Sequence, residues 1–175
     1  MNAQLTFRMA DSPADAETLV ELFEGAARWM RESGIDQWKS GDKSAEHFLL
    51  RMKEGEVWFA ETAEGRVAGA CELWWDDVEA WGEQPPVAGY VHRLMVDREV
   101  AGAGTGAALL AHAERRIAEA GRPFVRLDCV TSNPRLRTYY ESAGYRVVGE
   151  FPGKVRARDG LVYGVTLLEK EASSG

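Results

Sequence analysis

Val91-His92-Arg93-Leu94-Met95-Val96 leads through residues 97–100 into Ala101-Gly102-Ala103-Gly104-Thr105-Gly106, and then into a run with Leu109, Leu110, Ala113 and Ile117 at helical spacing. The first six residues read as an apolar strand, the next six as a small-residue turn and the rest as an amphipathic helix. A strand, a glycine-rich turn and a helix in that order make an anion site. Glycine has no Cβ, so the backbone can approach a ligand closely. The first N–H groups of the helix lack internal partners and carry the positive end of its dipole. Phosphate or pyrophosphate is the natural occupant. Three glycines at alternate positions exceed what an ordinary strand–helix connection needs.

The whole chain limits what that site can serve. Its 175 residues suit one domain with a full core. The expected boundary is a single domain over 1–170 with a disordered tail at 171–175. The chain carries 21 Lys/Arg against 28 Asp/Glu, a net charge of −7, which argues against a nucleic-acid partner. Residues 1–96 hold 9 basic and 18 acidic side chains, and residues 97–175 hold 12 and 10. The phosphate-type stretch therefore opens the less acidic half, and the acidic half can attract a cationic co-substrate. Cys71 and Cys129 fall in predicted strands and form neither a disulfide framework nor a metal site, so no metal is expected. The first eight residues are too polar for a signal peptide, and no run approaches the ~20 apolar residues of a membrane span. These features predict a soluble cytoplasmic protein, monomeric or homodimeric, with no membrane partner.

Outward from the central stretch, the elements follow in order. Residues 5–9 read as a strand. Ser12-Pro13 is a cap followed by a proline at the first helical position, with Leu19, Leu22, Phe23, Ala26 and Met30 marking one face to about Glu32. After a loop containing Trp38, a second helix is expected over about 43–53, with Phe48, Leu49 and Met52 inward. Strands at 57–62 and 67–75 form a hairpin, and residues 76–86 read as a polar loop. The central strand and long helix follow, then a strand at 124–131. A helix starts at Asn133-Pro134, with Leu136, Tyr139, Tyr140 and Ala143 on one face. Two final strands, 145–151 and 161–168, are joined by a loop containing Lys154, Arg156 and Arg158. The order β-α-α-β-β-β-α-β-α-β-β implies an α/β (α+β) fold, a mixed sheet of about seven strands flanked by about four helices.

Two phosphate motifs compete for the glycine turn. Gly102-x-Gly104-x-x-Ala107, with Asp128 about twenty residues on, matches the dinucleotide fingerprint. Against it, residues 97–101 separate the strand from the first glycine, too little chain follows for a doubly wound sheet, and the last strands form a hairpin. A Walker A loop is excluded because no Gly-Lys-Ser/Thr follows. The alternative is a family resemblance. Leu94-Met95-Val96, then Ala101-Gly102-Ala103-Gly104-Thr105-Gly106, then Leu109-Leu110, resembles the cofactor signature of the GNAT acyltransferases. Asn133, Tyr140 and the Gly144-Tyr145 pair repeat the family's second motif at its spacing. The resemblance covers residues 5–168 in element order, and its specific part is 89–145. Ala101 departs from the usual Arg or Gln, and Arg98 stands where Pro is common.

The resemblance implies acetyl-coenzyme A as cofactor, held by Leu94, Met95, Val96, Ala101–Gly106, Asn133 and Tyr140, with the central strands splayed around it. It also implies N-acetyl transfer to a primary amine of a small molecule or peptide by direct attack. Such a reaction needs a held cofactor, a neutral amine, a stabilised oxyanion and a leaving thiolate. The N–H near Met95 is the implied oxyanion donor. Tyr140, a phenol with a reference pKa of ~10, is the implied general acid. The base stays open between His92, whose side-chain type has a reference pKa of ~6.5, Asp128, which sits at the family's ribosomal-protein-alanine acetyltransferase spacing from Asn133, and Glu72. Trp29, Trp38 and Glu72 are the expected acceptor-side residues, with Asp36, Asp76 and Asp77 adding an acidic wall suited to an amine. A catalytically silent acyl-coenzyme A sensor is the second reading, and a dinucleotide oxidoreductase the third.

Overall fold

Ser12-Pro13 starts the first helix as its chemistry dictates. In the computed structural model, which describes residues 4–172, strand β1 (Thr6–Met9) precedes helix α1 (Pro13–Glu32). Ser12 Oγ accepts the Asp15 amide at 3.1 Å, and Pro13 takes a position whose N–H has no helical partner. Arg8 of β1 grips the Asp15 carboxylate with two bonds of 3.0 Å. That guanidinium lowers the Asp15 carboxyl to about 2.

The chain divides into two compact units, residues up to Leu73 with Arg93–His112, and Trp74–His92 with the chain from Ala113 onward. In the first, Leu19, Leu22, Phe23 and Ala27 form the buried stripe of α1. They join Phe48 of α2 (Ala45–Glu54), Val57 and Phe59 of β2 (Glu56–Glu61), Ala70 of β3 (Val67–Trp74) and Met95 of β4 (Ala88–Val96) in one core cluster. Met52 packs against that cluster. Leu49, expected inward, is 38% exposed because it lies one helical step off the stripe that Phe48 marks. β1 pairs antiparallel with β2, and β2 with β3 as the predicted hairpin. The Asp97 amide donates to the Ala68 carbonyl at 2.9 Å, which sets the end of β4 beside β3.

In the second unit, Ala88–Tyr90 of β4 runs parallel to Phe124–Arg126 of β5 (Phe124–Val130). Helix α4 (Thr105–Glu119) makes the crossover that a parallel pair requires. β5 pairs antiparallel with β7 (Val162–Glu171), and β7 with β6 (Arg146–Val155). The strand order β1-β2-β3-β4-β5-β7-β6 is the expected seven-stranded mixed sheet.

Four expectations are corrected. The polar loop at 76–86 contains a one-turn helix, α3 (Val78–Trp81), whose first amides are capped by Asp77 Oδ1 accepting from Ala80 at 3.4 Å. With α5 (Pro134–Ser142) the described residues hold five helices; a single turn is too short to show periodicity. β6 continues to Val155, so Lys154 belongs to a strand and the connecting loop begins at residue 156. The strand expected over 67–75 would set Trp74 and Trp75 on opposite faces of the sheet, but Trp75 lies past the end of β3. β7 extends to Glu171, opposite Phe124, so residue 171 of the expected tail belongs to a strand; residues 173–175 lie outside the described residues. No helix among the described residues is long and apolar enough to cross a membrane.

Gly69 of β3 fixes where β4 lies. A Cβ there would sit 2.6 Å from the Met95 carbonyl oxygen and 2.9 Å from Leu109 Cδ1 of α4. The carbonyl is main chain within β4 and cannot turn aside as a side chain could. Gly69→Ala should therefore destabilise by about 1–3 kcal/mol, the usual overpacking cost, and lower Tm by roughly 3–10 °C. A variant melting with the parent would show that the backbone there has slack.

Candidate active site

The first part of the site is the turn between β4 and α4, within the first unit. Residues 97–101 close a helical turn: the Ala101 amide reaches the Asp97 carbonyl at 2.7 Å, and the Glu99 amide reaches Asp97 Oδ1 at 2.9 Å. Gly104 has φ +87, the left-handed region that glycine enters without strain. Thr105, 4% exposed, turns its hydroxyl back onto the Gly102 carbonyl at 3.0 Å. The first intrahelical bond runs from the Ala108 amide to the Gly104 carbonyl, 2.9 Å. The Gly106 and Ala107 amides therefore have no intrahelical acceptor. Apart from the glycine and its chain neighbours, nothing lies within 4 Å of where a Cβ would stand at Gly102 or Gly104. This is a cradle lined by backbone and open to an anion.

The strand leading into the turn is not regular. Arg93 has φ +49, the sole left-handed non-glycine residue among those described, inside β4. Such a conformation costs of order 1–3 kcal/mol and persists where surroundings enforce it. Here the guanidinium is held in a buried network: Nη1 lies 2.6 Å from Glu72 Oε2 and 2.6 Å from His47 Nε2. Glu72 is 1% exposed. Burial, then Arg93 and Lys43, lower the His47 pKa to about 4, so its Nε2 is free to accept from Arg93. His47 is thus half-buried and used. His112 is half-buried with its ring 4.3 Å from Phe7 and 4.4 Å from Trp58.

Trp29 and Trp38 are also in the first unit. Trp38 stacks on Phe23 at 5.1 Å and lines a cleft of about 760 Å³ with Ile35, Arg28 and Arg31. Trp29, 37% exposed, lies under the Arg98 guanidinium at 3.7 Å. The acidic wall expected around them is largely committed: Glu72 to Arg93, Asp36 to Lys39 at 3.5 Å, and Asp77 to His92.

The second unit holds the other candidates. His92 Nε2 lies 2.9 Å from Asp77 Oδ2, and Nδ1 lies 3.9 Å from Asp128 Oδ1. The two atoms of the closer contact have no other hydrogen-bond partner. Both atoms are buried and lie within ion-pair distance of each other. Trp74 stacks on the His92 ring, centroids 3.7 Å apart. Lys154 Nζ sits 3.2 Å from Asp128 Oδ2. Burial alone would raise the Asp77 carboxyl, but the His92 bond and charge with the Lys154 charge leave it below the usual carboxylate range. Asp77, His92 and Asp128 are close enough to surround a cation. The carboxylates, however, approach opposite ring nitrogens, and Lys154 already neutralises Asp128. The geometry suits a proton more than a metal.

α3 is anchored by a buried network, Arg126 to Glu169 at 2.9 Å and to the Tyr90 hydroxyl at 2.9 Å, with Trp81 4.8 Å from the guanidinium. That network fixes Asp77 at the head of the helix. Tyr140 of α5 is half-buried, edge-on to Tyr145 at 6.0 Å. Its neighbour Tyr139, expected to pack, is 41% exposed. Asn133 occupies the N-cap position of α5, where the sequence places the helix start, but its side chain makes no capping bond. His92 and Asp128 are therefore brought together, and Asp77 and Lys154, which no motif marks, join them.

Against known proteins, the acetyltransferase (GNAT) family matches residues 19–145. The chain belongs to the GNAT acetyltransferases. It is 32% identical over 147 residues to the uncharacterized N-acetyltransferase YesJ of Bacillus subtilis (strain 168), covering 77% of this chain and 78% of that one. A GNAT-family acetyltransferase structure from Listeria monocytogenes 4b F2365 superposes with a TM-score of 0.76 at 30% identity, over 98% of both chains. The yncA acetyltransferase of Salmonella typhimurium, solved with acetyl-CoA, has a TM-score of 0.68 at 17% identity, over 99% of this chain and 96% of that one. This GNAT acetyltransferase is an acyltransferase with acetyl-CoA as cofactor, acting on an amine. The cradle at Ala101–Gly106 fits that cofactor's pyrophosphate, because it offers outward amides and the room that glycine leaves. Family membership removes the dinucleotide oxidoreductase.

Proposed function

We propose that this acetyltransferase acetylates a primary amine of a small molecule or peptide by direct attack, with His92 as general base and Tyr140 as general acid, as one domain over 1–170 in the cytoplasm. The observation that carries the proposal is the His92 ring, stacked on Trp74 and flanked by Asp77 and Asp128. An imidazole so fixed can take a proton from an ammonium on one nitrogen while a carboxylate orients it from the other. Asp77, 2.9 Å from Nε2, serves as that orienting carboxylate and leaves Nδ1 for the proton, while Asp128, already paired with Lys154, is not the base. Glu72 is committed to Arg93 and shapes the site through it.

Bound acetyl-CoA supplies an acetyl group activated as a thioester. The residues that would hold it are the Ala101–Gly106 backbone, the Leu94-Met95-Val96 strand end, whose Met95 amide would serve as oxyanion donor, and Asn133, whose side chain makes no capping bond. Tyr140 holds the proton destined for the sulfur. Trp38 walls the acceptor. Neither cysteine offers an acyl carrier, since burial pushes Cys71 up to about 12 and Cys129 up to about 11. Direct attack predicts intersecting lines when initial rates are varied in both substrates. Parallel lines, the mark of an acyl-enzyme, would refute it.

Tyr140→Phe should lower kcat by about 100-fold, the lower end of the general-acid range, with the KM for acetyl-CoA nearly unmoved. Full turnover in Tyr140→Phe would remove the phenol from the chemistry.

A further inference from the structure

We infer that Arg98, docked on Trp29, is the side chain that recognises the phosphates of coenzyme A in this enzyme, supplying the charge that the cradle itself lacks. The inference rests on acetyl-CoA occupying the Ala101–Gly106 turn. Between Arg93 and Arg115 the chain has one Lys or Arg, Arg98, and it is flanked by Asp97 and Glu99. Positions 101 and 103 are alanines and 102, 104 and 106 glycines, so no side chain of the turn can meet a phosphate with charge. The helix end offers only partial charge. A ligand with several phosphate charges approaching a chain of net charge −7 needs more than that.

The backbone places Arg98 where it can serve. The bond from the Ala101 amide to the Asp97 carbonyl closes a helical turn, so Arg98 lies three and four residues before Ala101 and Gly102, the spacing that shares one face. Alanine at 101 leaves that face open. The guanidinium lies over the Trp29 ring, its Cζ 3.7 Å from the ring centroid, and among the described residues it pairs with no carboxylate. Stacking uses the face of a guanidinium and leaves its in-plane N–H groups free, the arrangement suited to two-pronged phosphate recognition. Neither Asp97 nor Glu99 competes for it. Asp97 Oδ1 is taken by the Glu99 amide at 2.9 Å, and no ion pair joins Arg98 to Glu99. Trp29, expected among the acceptor-side residues, thus acts as a positioning residue for cofactor binding.

Calorimetric titration of coenzyme A into the parent, Arg98→Ala, Trp29→Ala and Trp29→Phe tests this. Arg98→Ala should weaken binding by about 10–100-fold, the size of a charge-assisted contact, and flatten the dependence of Kd on salt. In steady state the loss should appear in the KM for acetyl-CoA and not in kcat. Trp29→Ala should lose part of the same affinity and Trp29→Phe should recover it, because the ring face is what docks the guanidinium. Repeating the titration with 3′-dephospho-coenzyme A assigns the contact: a loss that persists places Arg98 on the pyrophosphate, and a loss that vanishes places it on the 3′-phosphate. If the parent binds and Arg98→Ala binds within twofold of it, the assignment of Arg98 is wrong while the cradle stands. If the parent itself does not bind coenzyme A, the cradle reading is wrong.

Discussion

Gly104→Val is expected to bind acetyl-CoA at least about a hundredfold more weakly than the parent in a calorimetric titration, as expected when a backbone anion site is both bent and filled. Two effects combine. Gly104 sits at φ +87, where a β-branched residue is strained by about 1–3 kcal/mol, so the turn must open and carry the amides of the α4 start with it. The side chain would also project into space where, apart from its chain neighbours, nothing lies within 4 Å. That openness makes the substitution specific. Valine displaces nothing in the core, so the melting temperature should fall by no more than the strain requires. Gly102→Ala, without positive φ, should lose less affinity. Parent-like binding by Gly104→Val would place the cofactor elsewhere.

His92→Ala should lower kcat by about 10²–10⁴-fold, the range for a positioned general base. The pH–rate profile distinguishes it from a packing defect. Turnover that needs an unprotonated base rises with pH along an acidic limb. Deleting the base removes that limb, whereas deleting a group that only orients the base moves it. His92→Ala should therefore give a flat acidic side, and Asp77→Asn and Asp128→Asn should keep a limb at altered position. If Asp128→Asn flattens the profile and His92→Ala does not, the two roles are exchanged. Asp77 caps α3, so Asp77→Asn, which keeps an acceptor oxygen for the cap, is the informative variant and Asp77→Ala is not.

Much of this molecule was legible where local chemistry decides it. Ser12-Pro13 begins a helix because one side chain caps it and the other needs no N–H. The turn at Gly102–Gly106 announces an anion because glycine spacing and a following helix are sequence-local. The flanking order separates this turn from the dinucleotide fingerprint. What escaped depends on distant partners. α3 is one turn long and is held by Arg126 and its partners Glu169 and Tyr90, far along the chain. Asp77 therefore looked like one acid in a polar loop, although it lies 2.9 Å from His92. Lys154 looked like a loop cation because the residues that extend β6 to Val155 are exposed and show weak alternation. Arg93 gave no sign of its left-handed backbone, which its buried partners Glu72 and His47 accompany. Aromatic residues were the hardest to place. Trp29 and Trp38 are both expected at the acceptor side; Trp29 carries Arg98, while Trp38 packs on Phe23 and lines a cleft.

The central claim is amine acetylation through His92, and a panel of amines with acetyl-CoA, read by free-thiol release and by mass of the acetylated product, tests it most directly. The account predicts thiol release that depends on a particular amine, matches product mole for mole, and falls by about 10²-fold or more in His92→Ala. Tight coenzyme A binding with no amine-dependent thiol release across small amines, polyamines, amino acids and peptide N-termini would contradict it and leave an acyl-coenzyme A sensor in its place.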